Sequence, residues 1–210
     1  MHIADGVISV PVIAATSVVA VAGLGLGLRA LKPERIPAVA VLSATFFVAS
    51  LIHITLGPSS VHLILNGLIG VLLGWAAFPA MFVGLLLQSV LFGFGGVTVL
   101  GVNLFNIAVP GLVCGLAVRP FIAARGPSGA AVAGAVAGGA AVGLTAILVA
   151  ICLGLSGREF IPAAKLTVLA HLPVMAIEAA VTAAAVLLIK RVRPDMLGPV
   201  PAVLAPHPVS

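Results

Sequence analysis

The stretch from Ala130 to Leu155, AAVAGAVAGGAAVGLTAILVAICLGL, decides the class of fold. It carries no charged side chain and exceeds the roughly twenty apolar residues that an α-helix needs to cross a bilayer core. Working outward, the same character covers the chain. Of 210 residues, 62% are hydrophobic and 7% charged, with a mean hydropathy of +1.34, which excludes an ordinary soluble domain. The net charge of +5 sits in short clusters between apolar runs, so it reads as membrane orientation and not as nucleic-acid binding.

The spacing predicts an all-α, polytopic membrane protein of seven transmembrane helices, at about Pro11 to Ala30, Ala38 to Leu56, Val61 to Ala77, Ala80 to Phe92, Gly101 to Val118, Ala130 to Leu155 and Thr167 to Ile189. Gly57-Pro58-Ser59-Ser60, Phe78-Pro79 and Gly93-Phe94-Gly95-Gly96 interrupt the apolar runs, and His62 falls in the first turn of the third helix. Residues 1–193 read as one membrane domain and residues 194–210 as a proline-rich, disordered cytoplasmic tail. Cys114 and Cys152 lie in apolar runs without paired spacing and read as packing residues. Gly134 and Gly138 are spaced for close helix approach.

Cytoplasmic loops hold the excess of lysine and arginine. An outside N-terminus puts Arg29, Lys32, Arg35, Arg119, Arg125, Lys190, Arg191 and Arg193 inside, and only Arg158 and Lys165 outside. Independently of metal, that topology collects Met1, His2, Asp5, His53, His62, Asn103, Asn106 and His171 near the outer surface.

The opening Met1-His2-Ile3-Ala4-Asp5-Gly6 then acquires a chemical reading. No lysine or arginine precedes Arg29, so a secretory signal is not expected, and the bulk of His2 favours retention of Met1. A free Met1 amine, the His2 amide nitrogen and His2 Nδ1 can reach one ion in adjoining chelate rings. A further histidine completes four nitrogens, a set suited to Ni(II), Cu(II) and neighbouring first-row ions over Mg(II) or Ca(II). His62, after its glycine-proline turn, is the chosen fourth ligand; the alternative is a histidine hydrogen-bonded at a helix junction. His53 competes for that place or orients a ligand.

Asn103 and Asn106 share a helix face and either point together at an inserted N-terminus or bond across a helix interface. Glu178, a carboxylate inside an apolar helix, and His171, two turns away, form a structural clamp, a proton relay or an entry route. Asp5 holds the first turn of the chain or is solvated. There is no phosphate-binding loop, so the chain cannot itself drive ATP hydrolysis and concentrative transport would need another subunit; the expectation is a chain that is not itself an enzyme.

These residues resemble a known family. Met1-His2-Ile3-Ala4-Asp5-Gly6, Ser59-Ser60-Val61-His62-Leu63, Gly95-Gly96-Val97-Thr98-Val99-Leu100-Gly101-Val102-Asn103-Leu104-Phe105-Asn106 and Ile177-Glu178-Ala179 together are similar to the CbiM/NikM family. Its members are substrate-capture (S) components of energy-coupling factor transporters for cobalt and nickel. The resemblance, from Met1 to about Arg193, implies a seven-helix S component with its N-terminus inserted into the bundle. It also implies metal held by Met1, His2 and His62. The implied partners are a transmembrane coupling (T) subunit, two cytoplasmic ATP-binding subunits and, in some systems, a small accessory membrane subunit. The expectation is import of Co(II), for cobalamin synthesis, across a bacterial or archaeal cell membrane, with Ni(II) as the alternative and no permanent cofactor. An intramembrane metallohydrolase using His53, His62 and Glu178 is the alternative of another class. Val7-Ile8, Leu56-Gly57-Pro58, Phe94 and His171 depart from the family pattern, at positions around the donors and not among them.

Overall fold

The computed structural model describes residues 2–51 and 53–198. Their apolar runs fold into seven α-helices: α1 (Val10–Ala30), α2 (Ile36–Ala49), α3 (Asn66–Leu73), α4 (Ala77–Phe92), α5 (Leu100–Ala124), α6 (Pro127–Ser156) and α7 (Ile161–Val192). Pro11, Pro37, Pro127 and Pro162 each stand in the first turn of a helix, where a missing N–H leaves no bond unmade. Five segments are long and apolar enough to cross a membrane: α1, the α3–α4 unit, α5, α6 and α7. Their outward faces are apolar, with Val18 70%, Val132 66% and Leu188 62% exposed, as suits contact with lipid.

Helix α5 runs past the expected Val118 to Ala124 and α7 opens at Ile161, ahead of the expected Thr167, but the departures that change the kind of structure lie between the second and third helices. The second helix, expected to run to Leu56, stops at Ala49, and the third does not begin at Val61. Between them lies an antiparallel hairpin of β1 (His53–Leu56) and β2 (Ser59–His62), which pairs His53 with His62 and turns through Gly57 at φ 57°. The all-α expectation therefore gains one hairpin, and His62 ends a strand instead of opening a helix. Short, β-branched segments either side of Gly57-Pro58 suit a strand better than a helix. The tail expected from Pro194 also differs. Pro194–Leu197 forms a 3-10 turn that buries Leu197, and Arg193 pairs with Asp195; residues 199–210 lie outside the described residues.

Every residue of α3 is buried, so this short helix is the axis around which α5, α6 and α7 pack. Close approach needs glycine: a Cβ on Gly70 would land on the carbonyl of Gly111. The Gly134 and Gly138 pair is used within the chain, facing Val186 and Thr182 of α7. At the axis, Asn66 Nδ2 donates to the Ile107 carbonyl at 3.0 Å and to Thr145 Oγ1 at 2.9 Å.

Candidate metal centre

The first residues of the chain enter the bundle as an extended segment bonded along both edges. On one edge Ile3 forms a β-bridge with Ser59, and the Ala4 N–H donates to the Pro58 carbonyl at 3.2 Å. On the other, the Asn103 side chain imitates a strand. Its Oδ1 accepts from the Ile3 N–H at 2.9 Å and its Nδ2 donates to the Ile3 carbonyl at 3.2 Å. The Asp5 N–H donates to the Gly95 carbonyl at 2.9 Å, and the Asp5 carboxylate accepts from the Thr98 hydroxyl. Gly96, at φ 128°, leaves room for that carboxylate; a Cβ there would overlap it. Ile3 is fully buried in a small cluster with Ile8, Val99, Val102, Val149 and Leu153.

This segment carries His2 to His62. The two rings stack with centroids 4.7 Å apart and planes at 23°, and both residues are buried. The His2 N–H donates to Ser60 Oγ at 3.3 Å. His62 Nδ1 lies 2.8 Å from the Leu63 carbonyl, which can only accept, so Nδ1 carries the proton and Nε2 keeps its lone pair. That Nε2 is buried and has no hydrogen-bond partner. Burial, chiefly, holds the His62 pKa well below 6.5, which favours the neutral ring that a metal ligand needs. A cavity of about 160 Å³ lined in part by His2, Ser59, Ser60 and Phe94 adjoins the pair. Among the described residues no three His, Cys, Asp or Glu side chains converge on one point.

The other sequence candidates divide. Asn103 and Asp5 hold the inserted segment. Asn106, three residues on from Asn103 in α5, instead accepts from the Cys152 thiol at 3.5 Å. His171 and Glu178 do not pair. His171 Nδ1 donates to the Thr167 carbonyl one turn back at 2.6 Å, while Glu178 Oε1 accepts from the Ile64 and Leu65 amides at 2.5 and 2.8 Å. Two turns of helix separate the two side chains, and each finds a nearer partner. Met1 and the His53 side chain lie outside the described residues. Sequence reasoning missed Ser60 and Thr98 as holders of the segment and Asn66 as the axial polar group. An asparagine in a run as apolar as Leu63–Leu73 was a signal for the last.

Residues 2–196 match the family model for the cobalt uptake substrate-specific transmembrane region, CbiM. The chain belongs to the CbiM family. Members of this family are components of cobalt and nickel transporters, and this CbiM-family chain, with its several apolar helices, is a multi-pass membrane protein. It is 37% identical over 201 residues to a putative metal transport protein of Haemophilus influenzae, covering 94% of this chain and 97% of that protein. It is 33% identical to the fused nickel transport protein NikMN of Rhodobacter capsulatus, covering 99% of this chain and 67% of that one. The crystal structure of a transition metal transporter superimposes with a TM-score of 0.81 at 26% identity, covering 91% of this CbiM-family chain and 93% of the other.

Proposed function

We propose that the chain is the S component of an energy-coupling factor transporter that captures Co(II) from outside the cell and delivers it inward, supplying cobalamin synthesis. The observation that carries this reading is the His2–His62 stack, held by a segment bonded along both edges. In this reading the Met1 amine, the His2 amide nitrogen and His2 Nδ1 take three positions around the ion, and His62 Nε2 takes the fourth. Asn103 and Asp5 fix the segment that presents them. Ni(II) is the second reading, favoured by the nickel transport proteins among the relatives. The metallohydrolase reading loses its base, because Glu178 Oε1 is bonded to two backbone amides and not to a histidine.

The seven helices cross the membrane with the N-terminus outside. Supporting this, Arg35 bonds the Leu72 carbonyl, Arg119 the Gly198 carbonyl and Lys190 the Ile122 carbonyl, all at the helix ends opposite the inserted segment. A coupling T subunit and cytoplasmic ATP-binding subunits drive release, and the fused relatives support an N-type accessory partner. The membrane subunits sit in a bacterial or archaeal cell membrane. The test is equilibrium dialysis of the purified chain against Co(II) and Ni(II) in competition, with bound metal read by elemental analysis. His2→Ala and a variant with one residue added before Met1 both lose binding; retention of binding by either overturns the assignment.

A further inference from the structure

We propose that Glu178 is a positioning residue for His62, setting the direction of its Nε2 without touching the ion. The proposal rests on the metal-capture reading above. Glu178 is fully buried in α7, and its Oε1 accepts both the Ile64 and Leu65 amides, the two N–H groups that open the turn between β2 and α3. That turn is strained. Leu65 sits at φ 55°, the one non-glycine at positive φ among the described residues, and its side chain disfavours that conformation. One carboxylate oxygen drawing in two adjacent amides is what holds it.

The same turn contains Leu63, whose carbonyl accepts the His62 Nδ1 proton. A chain of contacts therefore runs from Glu178 to the Ile64 and Leu65 amides, across the single planar peptide that joins the Ile64 N–H to the Leu63 carbonyl, and so to the His62 ring. Releasing the turn frees the Leu63 carbonyl to rotate. His62 then loses the bond that fixes its tautomer, and with it the alignment of Nε2. His171 has no part in this chain, because its bond stays within α7.

The test compares Glu178→Ala, Glu178→Asp and Glu178→Gln with the unaltered chain, using Ni(II) alone as the probe, read by equilibrium dialysis and by the visible spectrum of the bound ion. Alanine removes the acceptor and aspartate withdraws it by one methylene, so both lose affinity by about 10- to 100-fold. Both also give a bound-ion spectrum like that of His62→Ala. Glutamine keeps an acceptor oxygen at full length and restores the original spectrum. A merely structural clamp lowers stability in all three but leaves the spectrum of whatever folds unchanged. If alanine does not fold, aspartate carries the comparison. Unaltered affinity and spectrum in Glu178→Asp overturn the proposal, provided His2→Ala abolishes binding; if His2→Ala binds normally, the capture reading itself has failed.

Discussion

Replacing Asn103 by alanine tests whether the inserted segment is what makes the site. The side chain, 2% exposed, makes both of its bonds to Ile3, one to the N–H and one to the carbonyl. Its removal strands two backbone groups of a fully buried residue, each costing about 1–3 kcal/mol. The sum of about 2–6 kcal/mol bears on the docked segment alone. The Ala4 and Asp5 amides still hold that segment, so the lower end applies, and about 2 kcal/mol corresponds to about 30-fold in the docking equilibrium. Apparent affinity falls with the fraction docked. The expected result is therefore Ni(II) binding measurably weakened, by up to about 30-fold, in equilibrium dialysis. The comparison is Asn106→Ala, which gives up only a thiol contact and should stay within about twofold. Asn103→Ala binding as tightly as the unaltered chain, in a preparation where His2→Ala does not bind, refutes the reasoning.

Two further outcomes follow from the same geometry. Gly96→Ala places a Cβ on the Asp5 carboxylate at a φ that L-residues avoid, a strain of about 1–3 kcal/mol. It should lower Ni(II) affinity about tenfold while the helical circular dichroism stays unchanged. For pH, the depressed His62 pKa gives the sign. The unfolded chain binds a proton at this residue below 6.5 while the folded chain resists it, so His62 makes the fold less stable as pH drops from 6.5 to its lowered value. The slope contributed is at most about 1.4 kcal/mol per pH unit. In thermal melts between pH 5 and 8 the unaltered chain should lose stability on the acid side, and His62→Asn should lose less; equal slopes remove His62 as the cause.

What could be read from the sequence was whatever depends on composition and on chain-local chemistry. Lipid contact demands long apolar runs, so α1 and α6 were legible to within a few residues, whereas α5 runs on past Val118 through Pro120 and α7 starts at Ile161 within the stretch expected to be a polar loop. The chelating potential of Met1-His2 follows from three adjacent atoms. What was not legible depends on partners far along the chain. The hairpin at 53–62 lies in a run as apolar as a helix, and Ile3 bridges Ser59 across it, which no local periodicity reports. Asn103 and Asn106 are equivalent by spacing, and only the position of Cys152 on α6 separates their roles. Glu178 and His171 share a face by the same arithmetic, yet the strained turn at Leu65 claims the carboxylate.

The division into two apolar clusters predicts that the site can be altered without losing the fold. The main cluster surrounds α3 and draws on α4, α5, α6 and α7, whereas Ile3 and Ile8 belong to a separate one with Val99, Val102, Val149, Cys152, Leu153 and Ala164, at the end of the bundle that receives the inserted segment. Releasing the first residues opens the smaller cluster and leaves the axis packed. Docking of the segment and folding of the helices are thus separable events, and an ion that binds only the docked form stabilises that form by mass action. On the proposed capture reading, the inserted segment becomes a closure that the cargo itself holds shut, and anything that weakens the hold on the ion also loosens the closure.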